Sequence, residues 1–320
     1  MTTVATLEVS SAFPDAPAFP GASAFSDAPA FPDATALRAV TVIGSGVIGT
    51  SIALAMRRAG AEVTLIDKDP DALATAERMG AGTGFTPDTP PADVVVVATP
   101  PSSVVPVLRE AQERGLGAVY TDVASTKGLI VAEAARAGCD FATYVPGHPM
   151  AGRELPGPAA ACAEMFAGRP WVLCPRPETP WEAVRPVVEL VETCRARVNL
   201  LPPGRHDRAV AAVSHVPHLV SAALAARLAD ADETELSLAG KGLRDTTRIA
   251  AGLPELWCDI LEHNAEPVAA VLDEVVRDLA AAAAALRGAR GADTLKDLLV
   301  RGNRGRRRMT GAFPAAESAF

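Results

Sequence analysis

Hydrophobic residues in the first half of the chain fall into short strand-like runs, separated by segments with helical spacing. Seven runs are expected to form strands: Ala39–Ile43, Glu62–Ile66, Asp93–Ala98, Ala118–Thr121, Ala142–Tyr144, Trp171–Cys174 and Val198–Leu201. Three segments have helical spacing: Gly49–Ala59, Asp71–Met79 and Trp181–Cys194. The run at Asp93–Ala98 is apolar without alternation, which is typical of a parallel strand covered on both faces. Strands that alternate with helices predict an α/β fold with an open, doubly wound sheet of the Rossmann type.

The second half of the chain has a different pattern. From Asp207 to Leu286 the sequence is rich in Ala and Leu and shows only helical spacing. Several of these helices are apolar on more than one face, so they should pack against each other or against a second subunit. The pattern therefore predicts a Rossmann domain over residues 37–203 and an all-helical domain over residues 204–290.

Both ends of the chain differ from these two domains. Within residues 1–36, the segment Ser11–Ala22 is nearly duplicated by Ser23–Ala34, and both copies are rich in Pro and Ala. Proline fixes the backbone and removes hydrogen-bond donors, so a disordered leader is expected. Residues 291–320, with the basic run Arg301–Arg308, are expected to form a basic flexible tail.

Composition narrows the class of protein. The chain has 320 residues, 49% of them apolar, which suffices for two domains. A net charge of −8 argues against a nucleic-acid surface. The five cysteines are scattered and form no C-x-x-C pair, as expected of reduced thiols. Because no long apolar run is evident and no Lys or Arg precedes Arg38, we expect a cytoplasmic protein with no membrane span.

A glycine-rich motif follows the first predicted strand. Residues 44–49 read GSGVIG, which matches G-x-G-x-x-G between a strand and a helix, and an acid, Asp67, ends the next strand. In a Rossmann fold this turn binds the pyrophosphate of a dinucleotide, and the acid accepts hydrogen bonds from the ribose. An acid there favours NAD over NADP, although the adjacent Lys68 could tolerate a phosphate. The predicted cofactor-binding residues are Gly44, Gly46, Val47, Ile48, Gly49, Asp67, Thr99 and Pro100.

Four of the five histidines lie in polar motifs downstream: His148, His206, His215 and His218. His148 falls in a Gly- and Pro-rich segment after a strand, at the edge where Rossmann ligands bind, and we expect it to be catalytic. His215 and His218 are three residues apart and would share a helical face. No carboxylate pattern accompanies them, so no metal site is predicted.

Five motifs occur in a fixed order downstream of the glycine turn. They are S-x-K-G at 125–128, G-H-P-M-A-G-x-E at 147–154, H-D at 206–207, S-H-x-P-H at 214–218 and G-x-R-D-x-T-R-I-A at 242–250. Together with the glycine turn, this set resembles the prephenate and arogenate dehydrogenase family of tyrosine biosynthesis, across about residues 38–290.

The resemblance implies a homodimer with interlocking helical halves and an active site between the domains. It also implies roles for single residues. His148 would be catalytic and bind the substrate ring hydroxyl, and Ser125 would support that hydroxyl. Arg244 would pair with a substrate carboxylate. His218 would lie near the substrate side chain, with Glu154 at the pocket mouth. His215, a further substrate-binding candidate, matches a motif position, as do His206 and Asp207, without a role beyond orienting their neighbours.

The activity implied by this resemblance is NAD-dependent oxidative decarboxylation of prephenate to 4-hydroxyphenylpyruvate. Arogenate dehydrogenases and the 4-amino-4-deoxyprephenate dehydrogenases of antibiotic pathways share the motifs and stay open as alternatives. A β-hydroxyacid dehydrogenase fits less well, because Lys241 is followed four residues later by Asp245 where that class has Asn. A nucleotide sensor without activity is disfavoured by the intact set of His148, Ser125 and Arg244.

Overall fold

A parallel sheet of six strands forms the centre of the nucleotide-binding half in the computed structural model, which describes residues 35–152, 155–288 and 291–312. The strands are β1 (Ala39–Ile43), β2 (Glu62–Ile66), β3 (Thr83–Gly84), β4 (Ala92–Val97), β5 (Gly117–Asp122) and β6 (Tyr144–Val145). Their order is β3-β2-β1-β4-β5-β6, and all neighbouring pairs are parallel. The order reverses between β1 and β4, and ligands bind in the crevice at such a switch point. The predicted α/β fold with a Rossmann-type sheet is confirmed.

Five helices cover the two faces of this sheet: α1 (Val47–Arg58), α2 (Pro70–Arg78), α3 (Pro101–Glu113), α4 (Gly128–Arg136) and α5 (Trp181–Thr193). Strand β4 shows why both faces are apolar. Val94 and Val96 join one buried cluster with residues of α1 and α5, whereas Val95 and Val97 join a second cluster with residues of α3 and α4. A strand between two cores has no polar face, as its sequence predicted.

Three further strands form a separate small sheet, which corrects the expectation of one continuous sheet. They are β7 (Gly147–Pro149), β8 (Pro170–Leu173) and β9 (Arg197–Leu200). Strand β7 is antiparallel to β8, β8 is parallel to β9, and His148 pairs with Val172. His148 therefore lies on a strand and not in a loop as predicted. The Gly and Pro residues around it suggested a turn, but pairing with the buried strand β8 overrides that local preference.

The helical half begins with a long helical stretch. Helix α6 (Pro203–Val210) continues through a π-helical turn (Ala211–His215) into α7 (Val216–Ala225), and three shorter helices follow: α8 (Glu233–Ser237), α9 (Lys241–Thr247) and α10 (Pro254–His263). Helix α10 also contacts the sheet domain, because Ser102 donates both its backbone N–H (3.1 Å) and its hydroxyl (3.0 Å) to Asp259.

The described residues from Glu266 to 312 form a second compact unit, and the first unit ends at Ala265. Its helices are α11 (Ala265–Arg287), whose first residue still belongs to the first unit, and α12 (Ala292–Ala312). Helix α12 lies where the sequence predicted a flexible tail. The basic residues that suggested a tail also form contacts here: Arg301 binds Asp297 one turn earlier on α12 and Asp278 on α11, at 3.0 and 2.8 Å, which supports the helix in part. The predicted leader up to residue 34, like Glu154, lies outside the described residues.

The helical stretch Pro203–Leu228 is long and apolar enough, by length and composition, to cross a membrane. No such segment was expected from the sequence, because polar residues interrupt the apolar ones and no unbroken apolar run stands out. Those interruptions include His206, Asp207 and His215, which are buried and hydrogen-bonded within the protein. Polar groups of this kind are costly in lipid, which argues against a position of this stretch within a membrane.

Candidate active site

The glycine turn lies at the switch point of the large sheet. Gly44 has a φ of +108°, and a Cβ there would lie 2.3 Å from the carbonyl oxygen of Ala98. A Cβ on Gly49 would lie 1.9 Å from the carbonyl oxygen of Gly44, so the helix can approach the turn only without one. Gly46 instead faces open space, with no heavy atom within 4 Å of its Cβ position. This is the arrangement that lets a pyrophosphate approach the backbone.

Groups around this turn have unused hydrogen-bonding capacity that fits a dinucleotide. Val47 and Ile48 begin α1, and Gly46, which caps that helix, provides no side-chain acceptor for its first N–H groups. Thr99 lies two residues after the end of β4, next to Pro100, the N-cap of α3. The buried hydroxyls of Ser45 and Thr99 have no hydrogen-bond partner among the described residues. Helix N–H groups and unpaired hydroxyls are suitable ligands for phosphate oxygens.

Asp67 lies beside the turn at the end of β2. Its carboxylate accepts hydrogen bonds from the backbone N–H groups of Ser45 and, at 2.8 Å, Asp69. These bonds hold the carboxylate half-buried at the crevice, where ribose hydroxyls can donate to it and a 2′-phosphate would be repelled.

The second polar region is a chain of three side chains that ends at His148. Nδ1 of His148 lies 2.8 Å from Nε2 of His206, and Nδ1 of His206 lies 2.8 Å from Oδ1 of Asp207. Burial raises the pKa of Asp207, but the hydrogen bonds from His206, Lys127 and Gly128 outweigh burial and lower it below its ordinary value. An ionised carboxylate only accepts, so His206 donates from Nδ1, and its Nε2 must accept the N–H of His148. Nε2 of His148 is thereby left with its lone pair free.

Asp207 also binds the backbone of the S-x-K-G motif. Its two carboxylate oxygens accept the backbone N–H groups of Lys127 (2.9 Å) and Gly128 (2.7 Å). A Cβ on Gly128 would lie 2.7 Å from Oδ2 of Asp207, which explains why the motif has glycine at this position. Ser125 lies two residues before Lys127, and its hydroxyl is buried with no partner among the described residues.

A fully buried ion pair also stabilises the loop that carries the S-x-K-G motif. Nζ of Lys127 lies 2.5 Å from Oδ1 of Asp122, whose second oxygen accepts the hydroxyl of Tyr144 at 2.6 Å. Burial, together with Asp122, raises the pKa of Tyr144, which therefore stays a donor. Gly147 also donates to Asp122, at 3.4 Å, so the ion pair connects the loop after β5 to strand β7. A buried charge pair with further hydrogen bonds of this kind fixes geometry.

The surroundings of His148 keep its imidazole neutral. Burial lowers its pKa well below the ordinary value of 6.5, and the nearby His206, Lys127 and His215 lower it further. A neutral histidine with a free lone pair can accept a proton at physiological pH.

The helical half contributes a third group, which includes two residues that the sequence analysis missed. His218 is stacked on Trp257, with ring centroids 3.5 Å apart, and His215 meets the same indole edge-on at 6.2 Å. Asn264 donates to the carbonyl oxygen of Asp207 (2.9 Å) and lies 3.1 Å from Nδ1 of His215. Trp257 is the only tryptophan of the helical half, and this was the one feature of the sequence that could have marked it as a site residue. No motif distinguishes Asn264, which ends α10.

Arg244 is not brought into contact with the histidines. It is exposed on α9, and its neighbour Asp245 pairs with Lys241 at 2.6 Å. Helix α9 is nevertheless held beside α7, because the hydroxyl of Ser221 donates to the carbonyl oxygen of Thr246 at 2.8 Å. The role of Arg244 stays a prediction, and Glu154 lies outside the described residues. Within the described ranges, no group of three or more His, Cys, Asp or Glu residues could hold a metal ion.

Comparison with known proteins identifies the family. A model described as the nucleotide-binding domain of prephenate dehydrogenase matches residues 52–200, and one described as the dimerization domain matches residues 202–300. The probable prephenate dehydrogenase NovF of Streptomyces niveus is 38% identical over 87% of this chain and 79% of its own length. The 4-amino-4-deoxyprephenate dehydrogenase of Streptomyces pristinaespiralis is 32% identical over 71% of this chain and 77% of its own.

Solved structures give the same result. The crystal structure of Synechocystis arogenate dehydrogenase superposes with a TM-score of 0.67 at 27% identity, covering 85% of this chain and 99% of that one. The resemblance drawn from the motifs is confirmed, and NAD is the dinucleotide that the glycine turn and Asp67 fit. The chain therefore belongs to the prephenate dehydrogenase family and is an NAD-linked oxidoreductase.

Proposed function

We propose that the chain oxidatively decarboxylates prephenate to 4-hydroxyphenylpyruvate, as a cytoplasmic homodimer. The observation that carries this proposal is the chain from Asp207 through His206 to His148, which leaves a neutral imidazole with a free lone pair at Nε2. A base of this kind suits a substrate whose reacting group is a hydroxyl.

Proton transfer at Nε2 of His148 accounts for the first step. Bound NAD supplies the oxidising power by taking a hydride from the ring carbon that bears the hydroxyl. As that carbon becomes a carbonyl, the hydroxyl proton passes to His148, and the hydroxyl of Ser125 supports the same oxygen. The ring then loses carbon dioxide, and the electron pair of the broken C–C bond moves through the ring to the carbonyl oxygen. That oxygen recovers the proton from His148, which yields the phenol and restores the base.

The polar groups near His148 favour a hydroxyl over an amine at the reacting carbon. A hydroxyl has one donor and two lone pairs, which match the acceptor on His148 and the donor on Ser125. A ring ammonium would carry three donors and a charge. The buried carboxylates of Asp122 and Asp207 could compensate such a charge, but both already accept hydrogen bonds from the protein. Relatives named prephenate dehydrogenases support the keto side chain over the amino one.

The dimer is supported by the helical half. A dimerization-domain model matches residues 202–300. Exposed leucines cluster in the same part of the chain: Leu224, Leu236, Leu238, Leu253 and Leu256. Large apolar side chains in this number are typical of a surface that a second copy covers. The cytoplasmic location is supported by the free thiols of Cys139, Cys174 and Cys194, which are buried and unpaired with one another.

Purified protein should be assayed with NAD and each of the three family substrates. We expect the specificity constant for prephenate to exceed those for arogenate and 4-amino-4-deoxyprephenate by about tenfold or more, with 4-hydroxyphenylpyruvate as the product. His148→Asn should lower kcat by about 10²–10⁴ and leave the Kd for NAD unchanged. His263→Asn is the matched control, because His263 binds Asp259 outside this network. A preference for either other substrate would overturn the proposed specificity.

A further inference from the structure

Asn264 has an amide orientation that its surroundings determine. Its Nδ2 atom lies 2.9 Å from the backbone carbonyl oxygen of Asp207, an atom that can only accept a hydrogen bond. The amide nitrogen must therefore face that carbonyl. Asn264 is 2% exposed, so water does not compete for this position.

This orientation determines where His215 carries its proton. The second hydrogen of Nδ2 is directed at Nδ1 of His215, 3.1 Å away. Nδ1 must accept it, and a neutral imidazole that accepts at Nδ1 has its proton on Nε2. Burial lowers the pKa of His215 to about 4, so the ring is neutral at physiological pH.

The resulting N–H has no partner. His215 is fully buried, and its Nε2 atom makes no hydrogen bond among the described residues. An unpaired buried donor is unfavourable and is rare in folded proteins unless a ligand satisfies it. His215 also ends a π-helical turn, a distortion that is frequent at functional sites.

We propose that His215 is a hydrogen-bond donor to the substrate, and that Asn264 is the positioning residue that keeps its proton on Nε2. The acceptor is a carboxylate or keto oxygen of the substrate, as the proposed function provides. Nε2 of His148 then offers the substrate a hydrogen-bond acceptor, whereas Nε2 of His215 offers it a hydrogen-bond donor. Asp207 fixes both: its carboxylate directs the proton of His148 onto Nδ1 through His206, and its carbonyl directs the proton of His215 onto Nε2 through Asn264.

The protonation states can be measured without any substrate, so this measurement is independent of the proposed specificity. Full-length protein with ¹⁵N-labelled histidine and bound NAD should give ring ¹⁵N signals at neutral pH that place the His215 proton on Nε2 and the His148 proton on Nδ1. The ring signals that are missing from the His263→Gln variant belong to His263, a histidine outside the network, and serve as the reference. A proton on Nδ1 of His215 overturns the inference. Asn264→Asp offers that nitrogen an acceptor and should bring a proton onto Nδ1, and an unchanged signal would remove Asn264 from the positioning role.

Kinetics test the contact with substrate. His215→Met removes the donor at similar volume and should raise KM about 10- to 150-fold, for whichever family substrate is turned over. His215→Gln keeps an N–H near the Nε2 position and should recover part of this loss. The Kd for NAD should not change, and His263→Met should behave as wild type. A lower kcat at unchanged KM, or no effect on either, contradicts a donor to the substrate; the second result would mean that a buried water satisfies the N–H.

Discussion

Replacing Asp207 by Asn tests the hydrogen-bonded series from Asp207 through His206 to His148, because the substitution keeps the size of the side chain and removes its charge. The carboxylate accepts three hydrogen bonds, from the backbone N–H groups of Lys127 and Gly128 and from Nδ1 of His206. Each of its oxygens faces a backbone donor. The NH₂ group of an asparagine must therefore meet an N–H in either orientation.

Of the two orientations of the new side-chain amide, the one that leaves fewer hydrogen-bonding groups unpaired is the one that disables His148 as a base. With the amide oxygen at the Oδ2 position, Gly128 keeps its acceptor and the NH₂ donates to Nδ1 of His206. His206 then donates from Nε2 to Nδ1 of His148, whose own proton moves to Nε2, the atom that should accept. The N–H of Lys127 and the amide hydrogen that faces it are left without a partner. The opposite orientation leaves both the Gly128 N–H and the new NH₂ unpaired.

We therefore expect Asp207→Asn to lower kcat by about 10²–10⁴, the usual contribution of a general base. A direct aspartate–histidine contact contributes about 10⁴ in serine proteases by the same control of the tautomer. The unpaired N–H should lower the free energy of unfolding by about 1–3 kcal/mol. Because the nucleotide crevice is not altered, the Kd for NAD should stay the same.

The assay combines kcat at saturating NAD and substrate, the Kd for NAD, and chemical denaturation. Asp140→Asn is the matched control. Asp140 is exposed and accepts the N–H of Ala142 at 2.8 Å, so the same chemical change there should leave kcat within about twofold. A folded Asp207→Asn protein with kcat within about tenfold of wild type would refute the assignment of the tautomer.

Three further predictions address the other site residues. Arg244→Gln should raise KM for the substrate about 10- to 150-fold, with only partial rescue by Lys; a change below about threefold would match an exposed side chain that touches no substrate. Asp67→Asn should lower the ratio of specificity constants for NAD over NADP by about tenfold or more, because the carboxylate no longer repels the 2′-phosphate; an unchanged ratio would assign the preference to Lys68 or another group. Because burial, His206, Lys127 and His215 lower the pKa of His148, the base stays deprotonated below its ordinary pKa, and the acid limb of kcat/KM should lie below pH 6.5; a limb above that value would contradict the neutral base.

The sequence predicted the large sheet well because its strands satisfy local and global preferences together. The valines of β4 are β-branched and are also buried between two cores, so propensity and packing agree. Gly44 and Gly49 were informative for a similar reason, since only glycine fits both positions.

Features that depend on partners distant in the chain could not be predicted in the same way. Strand β7 has the composition of a turn and becomes a strand only by pairing with β8, more than twenty residues later. Helix α12 is supported in part by the bond from Arg301 to Asp278 on α11. Asn264 acts on His215 from a distance of 49 residues, and no pattern at either position reveals the contact.

With His148 as the proposed base, the small sheet makes turnover depend on residues that do not contact the substrate. His148 is in register with Val172, whereas the flanking Trp171 and Leu173 of β8 are fully buried in the main apolar cluster. Opposite residues of an antiparallel pair share a face, and a slip of one residue exchanges the faces. The burial of Trp171 and Leu173 in the core thus determines the face of the small sheet on which the side chain of His148 lies. Substitutions that displace this apolar strand should therefore lower the catalytic rate, as substitutions of the histidine should, although they contact neither substrate nor cofactor.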